Sequence, residues 1–392
     1  MMPSSSRGSF GWGKLGRAAR GVRRCIGWLP LLLSVSCVLF AARPAHAYPQ
    51  FVFKGYGDCN SCHHSPTGGG LPNRWGIDSL NPSFGGNLEW GNQDLTYDAA
   101  APAALKVDLG ADIRLMPLLS ADSDAAVPAF IPMLTEVGGA VALGRWMAYG
   151  ALMGRKLYGD GAPFAPFSRE HWLKFQAGDG LDVRVGRMVL PFGTRIPDHT
   201  QYTREDFEQD KYDQSYGAEV DYHGAGWSLF ANAFAGDLTH RPSEREERGL
   251  VLTPSVDLGS SANLGVSLLG ATSTARSRLA GSLFGRTALG SSLYLLAEVA
   301  AQHFAAKQGD DGLSTLAEYL RVGWFANPAM DVYVEAGHRT FVEGDGLTKA
   351  RAALGLNWQV LRWFEFAPQF EVETRTDLPA RYIAMGQLHL VY

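Results

Sequence analysis

Cysteine is nearly missing from this chain: four occur in 392 residues. Cys25 and Cys37 fall in a leading stretch that reads as removable, so only Cys59 and Cys62 remain behind it. A disulfide-dense secreted scaffold is thereby excluded. Long apolar runs are also lacking. After residue 47 no stretch is long enough to cross a membrane as a helix. Nor is there a basic excess. Residues 1–47 hold Arg7, Lys14, Arg17, Arg20, Arg23, Arg24, Arg43 and no acid, so their removal takes the formal charge from -4 to -11. An acidic chain of this kind excludes nucleic acid as a partner.

What is present begins with a targeting signal over residues 1–47. Its early part is basic, Ile26 to Ala42 is apolar, and Ala45-His46-Ala47 fits a small-x-small cleavage site. Behind it come a small segment, 48–103, and a large body, 104–392.

The large body alternates. Leu105, Val107, Leu109, Ala111, Ile113 and Leu115 share one face of an extended chain. Lys106, Asp108, Asp112 and Arg114 share the other. A period of two marks a strand with one apolar face. The pattern recurs and predicts sixteen strands, with fourteen or eighteen as the neighbouring even counts. Short linkers are expected after even strands, as at Gly178-Asp179-Gly180 and Gly224-Ala225. Longer ones follow odd strands, above all Pro191–Gln214, which reads as an outer loop. That asymmetry fits an all-β, antiparallel transmembrane barrel of the outer membrane of a Gram-negative bacterium, in contact with lipid and lipopolysaccharide. Trp172, Trp227, Trp324, Trp358 and Trp363 read as interfacial girdles. The acidic residues at Glu205–Asp213 and the run Glu244–Arg248 read as solvated loop faces.

The segment before the barrel carries Cys59-Asn60-Ser61-Cys62-His63. Two thiols at this spacing followed by histidine read as a covalent haem c attachment site, with His63 as the axial iron ligand. A small disulfide loop is the alternative. Arg74 suits a haem propionate and Trp75 a shield, beside Leu71. For the sixth iron position the order is His389, then His223, then Met385, with a vacant position also open. The glycine- and proline-rich flank suggests a lumen plug or a linker.

With these residues in place, the chain resembles a bacterial single-haem outer-membrane protein. It is also broadly similar to the barrel component of porin–cytochrome electron conduits. The resemblance rests on the signal, on Cys59, Cys62 and His63, and on the strand pattern ending at Tyr392. It implies an electron relay with a periplasmic redox protein on one side. A multihaem or extracellular cytochrome would stand on the other. The alternative is a porin whose haem segment is a structural or gating plug. A haem sensor or peroxidase-like enzyme ranks third.

Overall fold

The computed structural model describes residues 63–67, 70–73, 105–156, 164–196, 200–208, 213–236, 246–259, 261–307, 312–327, 329–342, 347–361, 363–376 and 378–391. Cys59, Cys62, Arg74 and Trp75 lie outside them.

Sixteen antiparallel strands close into one barrel. The first eight are β1 (Leu105–Ala121), β2 (Ala126–Leu143), β3 (Trp146–Lys156), β4 (Phe164–Gly178), β5 (Leu181–Val189), β6 (Gln214–Gly224), β7 (Trp227–Phe234) and β8 (Arg248–Leu258). The rest are β9 (Ala262–Thr272), β10 (Arg276–Leu289), β11 (Leu293–Ala306), β12 (Leu313–Asn327), β13 (Met330–Phe341), β14 (Thr348–Leu361), β15 (Phe364–Arg375) and β16 (Leu378–Val391). Each strand pairs with its chain neighbours. β16 returns to β1 with Val391 opposite Asp112 and His389 opposite Arg114. Closure leaves no unpaired edge, as a sheet in lipid requires.

The alternation sorts side chains as the sequence predicts. Leu109, Val137, Leu152, Leu250, Leu268, Leu283 and Leu354 stand exposed on the outside. Asp112, Glu136, Arg184, Glu219, Arg321 and Glu335 are buried on the inside. Trp227, Trp324, Trp358 and Trp363 are exposed near the short-turn end, and Trp146 joins them. Trp172 does not: it is 4% exposed and stacks on Tyr149 at 4.8 Å inside the barrel. This removes it from the girdle.

Two strand boundaries also differ from expectation. β1 and β2 run well past the residues whose alternation is clean, meeting across Asp122–Ala125. β4 begins before Arg169 and Glu170, which are adjacent in sequence and both buried. A register shift between Ala151 and Leu152 of β3 explains this pair: Ala151 faces Glu170 and Leu152 faces Ser168. The extra residue of a bulge turns two successive side chains toward one side. Arg169 can therefore reach Glu136 at 2.8 Å.

Inside the wall, large rings lie flat over glycines on the neighbouring strand. Tyr294 sits opposite Gly323. A Cβ on Gly323 would enter the Tyr294 ring. The ring is fully buried, and its hydroxyl donates to Asp331 at 2.9 Å. Gly323→Val is expected to lift the ring and orphan that carboxylate. The cost should be about 1–3 kcal/mol, typical of overpacking. Urea unfolding in lipid vesicles checks it, and an unchanged midpoint would show that the wall yields freely here.

Candidate functional site

The lumen is the only enclosed space such a barrel offers, and two pieces of chain occupy parts of it. The larger is the connection between β5 and β6. Its length predicts an outer loop, yet Leu190, Phe192, Ile196, Tyr202 and Phe207 are all buried. Part of it forms the single turn α1 (Tyr202–Glu205). Leu190, Phe192, Tyr202 and Phe207 pack with Val251, Leu269, Ala280, Ala300 and Ala317. The alanines keep the wall of β10–β12 shallow enough to seat the loop's rings. Ile196 packs separately with Tyr294, Leu296 and Tyr319.

Polar anchors run along the same path. The Gly193 amide donates to Ser267 Oγ at 2.9 Å, and the Thr194 amide donates to Glu298 at 3.0 Å. Gln201 donates to Glu335 at 2.9 Å. Glu335 also receives Arg321 at 2.6 Å and Arg351 at 3.2 Å. Arg351 in turn reaches the Thr200 carbonyl at 3.1 Å and Glu371 at 2.9 Å. Tyr202 donates to Glu373 at 3.2 Å. Arg339 pairs with Asp206, and Arg276 pairs with Glu208 at 2.6 Å. Burial raises the Glu205 and Asp206 carboxyls above their usual range, and Arg339 opposes the rise at Asp206.

Asp206 and Glu208 of this loop are therefore pairing groups, which corrects their reading as part of a solvated face. The same holds for Glu247, buried and paired with Arg278 at 2.6 Å. A signal for the inward fold was present in the sequence. A solvated loop has no use for Leu190, Phe192, Ile196, Tyr202 and Phe207 within one connection.

The smaller piece is the turn around residues 63–73. His63 bridges to Pro72, and the His64 amide donates to the Leu71 carbonyl at 3.3 Å. This turn docks on the inner wall of β1–β5. His64 Nε2 lies 3.2 Å from Asp108. Arg184 donates to Ser65 Oγ at 3.2 Å and Thr67 Oγ1 at 3.3 Å while pairing with Glu219 at 2.6 Å. Leu71 packs with Tyr149, Trp172 and Met188, and its amide donates to the Tyr149 hydroxyl at 3.3 Å. Burial pushes the His63 imidazole down to about 4, opposed by the hydrogen bond the ring donates to the Gly70 backbone.

His389 lies on the lumen face of β16. Its Nε2 is 3.1 Å from Asp112 and its Nδ1 is 3.5 Å from Glu365. His223 lies 2.7 Å from Asp221 near the β6–β7 turn. Both histidines are thus engaged by wall carboxylates.

The barrel resembles solved outer-membrane channels. A loop-deletion form of OmpT from Vibrio cholerae superposes with a TM-score of 0.60 at 12% identity, covering 74% of this chain and 100% of that one. The anion-selective porin from Comamonas acidovorans gives 0.60 at 11% identity, over 74% and 100%. The outer membrane channel DcaP of Acinetobacter baumannii gives 0.55 at 10%, over 74% and 99%. No protein-family model and no curated protein sequence matches the chain. At these identities the likeness establishes the fold: a sixteen-strand closed barrel of the Gram-negative outer membrane.

These findings overturn the haem reading. The body of the chain matches porins and channels, not cytochromes. Among the described residues, no group of three or more His, Cys, Asp or Glu side chains could hold a metal ion. Next to His63, the turn's side chains are committed to the wall, and His389 is committed to Asp112 and Glu365. Haem c and its iron are therefore corrected. So are the single-haem and conduit resemblance, the electron relay, and the periplasmic redox and multihaem partners.

Arg184→Ala is expected to remove the shared partner of Glu219, Ser65 and Thr67. It would leave Glu219 buried with Asn232 as its remaining donor at 3.0 Å. Breaking a buried pair on one side costs about 3–5 kcal/mol. A lowered unfolding midpoint, together with faster protease cleavage between residues 63 and 73, checks both consequences.

Proposed function

We propose that the protein is a porin that admits small polar solutes by diffusion, its lumen narrowed by two inserted pieces of chain. The observation that carries this reading is the β5–β6 connection folded inward and held by buried ion pairs within a closed barrel. The charged inner wall and apolar outer band suit water within and lipid without. Several fold neighbours are described as porins or channels, which supports the same class.

In this reading residues 1–47 are a removed signal and 104–392 form the channel. Residues 48–103 supply a lumen plug, a reading supported by the contacts of the described part of 63–73 with β1–β5. The short-turn end faces the periplasm. Electroneutral packing around Glu335 keeps the inserted loop from being drawn out by solutes or voltage.

Full-length protein in planar bilayers should give stepwise conductance in potassium chloride. A complete absence of steps would overturn the porin. Leu71→Asp forces a carboxylate against Tyr149 and Trp172, where burying an unpaired charge is strongly unfavourable. Undocking the turn should then raise the unit conductance. Arg339→Ala with Arg276→Ala should instead raise current noise, because Asp206 loses its pairing with Arg339 and Glu208 its pairing with Arg276. Equal conductance in Leu71→Asp and the parent would remove the plug while leaving the channel.

A further inference from the structure

Three cations line the lumen face of β14–β16, at the end of the barrel opposite Trp358 and Trp363. Lys349 is two residues from buried Arg351, and Arg375 two residues from buried Glu373, so strand parity turns both inward. Arg381 stands opposite Glu373 and shares its face. Lys349 stands opposite Arg375. Directly opposed side chains come within about 5 Å and diagonal ones within about 8 Å, so the three form one row. Like charges set side by side destabilise a sheet unless water or an anion answers them.

The neighbouring acids leave this row open. Glu373 receives the Arg375 Nε at 2.9 Å and the Tyr202 hydroxyl at 3.2 Å. Arg381 donates its Nε–H to Ser120 Oγ at 2.7 Å. Both guanidinium groups are thus oriented through Nε, while their terminal nitrogens make no hydrogen bond to a described residue. Lys349 forms no ion pair with a described residue. It is half-buried, like Arg381, and the Arg375 side chain is 36% exposed, so a solute in the mouth can reach all three. Asp206 is held by Arg339. Exposed Asp122 lies in the field of Arg381, yet its Oδ1 accepts the Asp124 and Ala125 amides at 2.9 and 3.0 Å. Glu205 is exposed on α1 within electrostatic reach of Lys349, without an ion pair among the described residues.

We propose that this row is a capture site for small multivalent oxyanions at the outer mouth. The proposal rests on the porin reading and names the solute class that the mouth selects. A guanidinium fork binds a group of anionic oxygens through two nitrogens, and the ammonium of Lys349 adds a further donor. Chloride meets one of these charges at a time, whereas an ion with several charged oxygens spans the row. Orientation through Nε lowers the ordering cost of binding. A wet, half-exposed site holds its ion weakly enough to release it inward, as conduction requires.

Pyrophosphate and chloride serve as probes of full-length protein in low-salt detergent. By calorimetry pyrophosphate should bind and chloride should not compete at equal concentration. Lys349→Gln and Arg381→Gln should each weaken pyrophosphate about tenfold, the scale of one hydrogen bond between charged groups. Arg381→Lys should recover part of the loss. Glu205→Gln should tighten binding, because it removes the opposing charge. Lys174→Gln takes a charge from the short-turn end, where Lys174 pairs with Asp182 at 2.9 Å, and should leave the affinity unchanged. Heat-shifted gel mobility confirms that each variant is folded. In planar bilayers pyrophosphate should reduce chloride current more from one side than from the other. Lys349→Gln with Arg381→Gln should abolish that asymmetry. Unchanged affinity in the folded double variant, or an equal loss in Lys174→Gln, would overturn the site. Conductance without pyrophosphate binding sinks the site alone. Pyrophosphate binding without any conductance sinks the channel and leaves the site standing.

Discussion

Lipid offers no hydrogen bonds, and the rest of this structure follows from that. A backbone group left unpaired in hydrocarbon costs several kcal/mol, so the sheet must close. Closure is made by β1 and β16, where Asp112 to Arg114 meets His389 to Val391. Once the sheet closes, strand parity is fixed around the whole ring. Every second residue faces lipid and must be apolar. The others face an enclosed interior, where charge is stable only when hydrated or paired. Asp112 shows the linkage at the seam itself: it pairs with Arg114 at 2.9 Å and with His389 at 3.1 Å.

The interior then has a problem of its own. Several inward positions on β8–β12 are apolar or very small, including Val251, Leu269, Ala280, Ala300 and Ala317. In an open aqueous channel these would be a wetted apolar patch. The β5–β6 connection resolves this by covering them with Leu190, Phe192, Tyr202 and Phe207. Burial of that area drives the loop inward, at roughly 25 cal/mol per Å² of apolar surface. Ion pairs then fix its register, since hydrophobic contact alone is not directional. The Glu335 cluster does this by gathering donors from β12, β14 and the loop on one carboxylate.

The barrel was legible in the sequence because its rule is local. A two-residue period needs only the neighbouring positions to be recognised, and short turns separate the strands. Sixteen strands and the parity of the long connections follow from that alone. The failures occur where the rule becomes nonlocal. Arg169 and Glu170 look like a loop because two adjacent charges cannot both face inward in a regular strand. Only the bulge against Ala151 and Leu152 permits it. Trp172 reads as a girdle residue for the same reason: the regular alternation of its strand begins beside it. The length of the β5–β6 connection predicts an outer loop, although its own aromatics argue otherwise. The motif at Cys59–His63 misled for a different reason. A five-residue pattern states what chemistry its residues could perform. It does not show whether their surroundings serve that chemistry. Around His63 those surroundings are a turn seated on Asp108, Arg184 and Tyr149.

The two inserts divide the wall between them. The turn takes β1–β5, and the loop takes β8–β15. The wall between them connects their anchors. Arg184 holds the turn and pairs with Glu219; Glu219 accepts from Asn232, whose amide also contacts Met188 at 3.4 Å. Met188 lies just before Leu190, where the loop begins its inward path. A buried guanidinium satisfied by both a carboxylate and the turn's hydroxyls is far better matched than one facing a carboxylate alone. Docking of the turn thus completes a polar network whose other end borders the root of the loop. The free space left between them is bounded by both. The seat of the turn and the path of the loop are, on this geometry, set by one connected set of wall contacts.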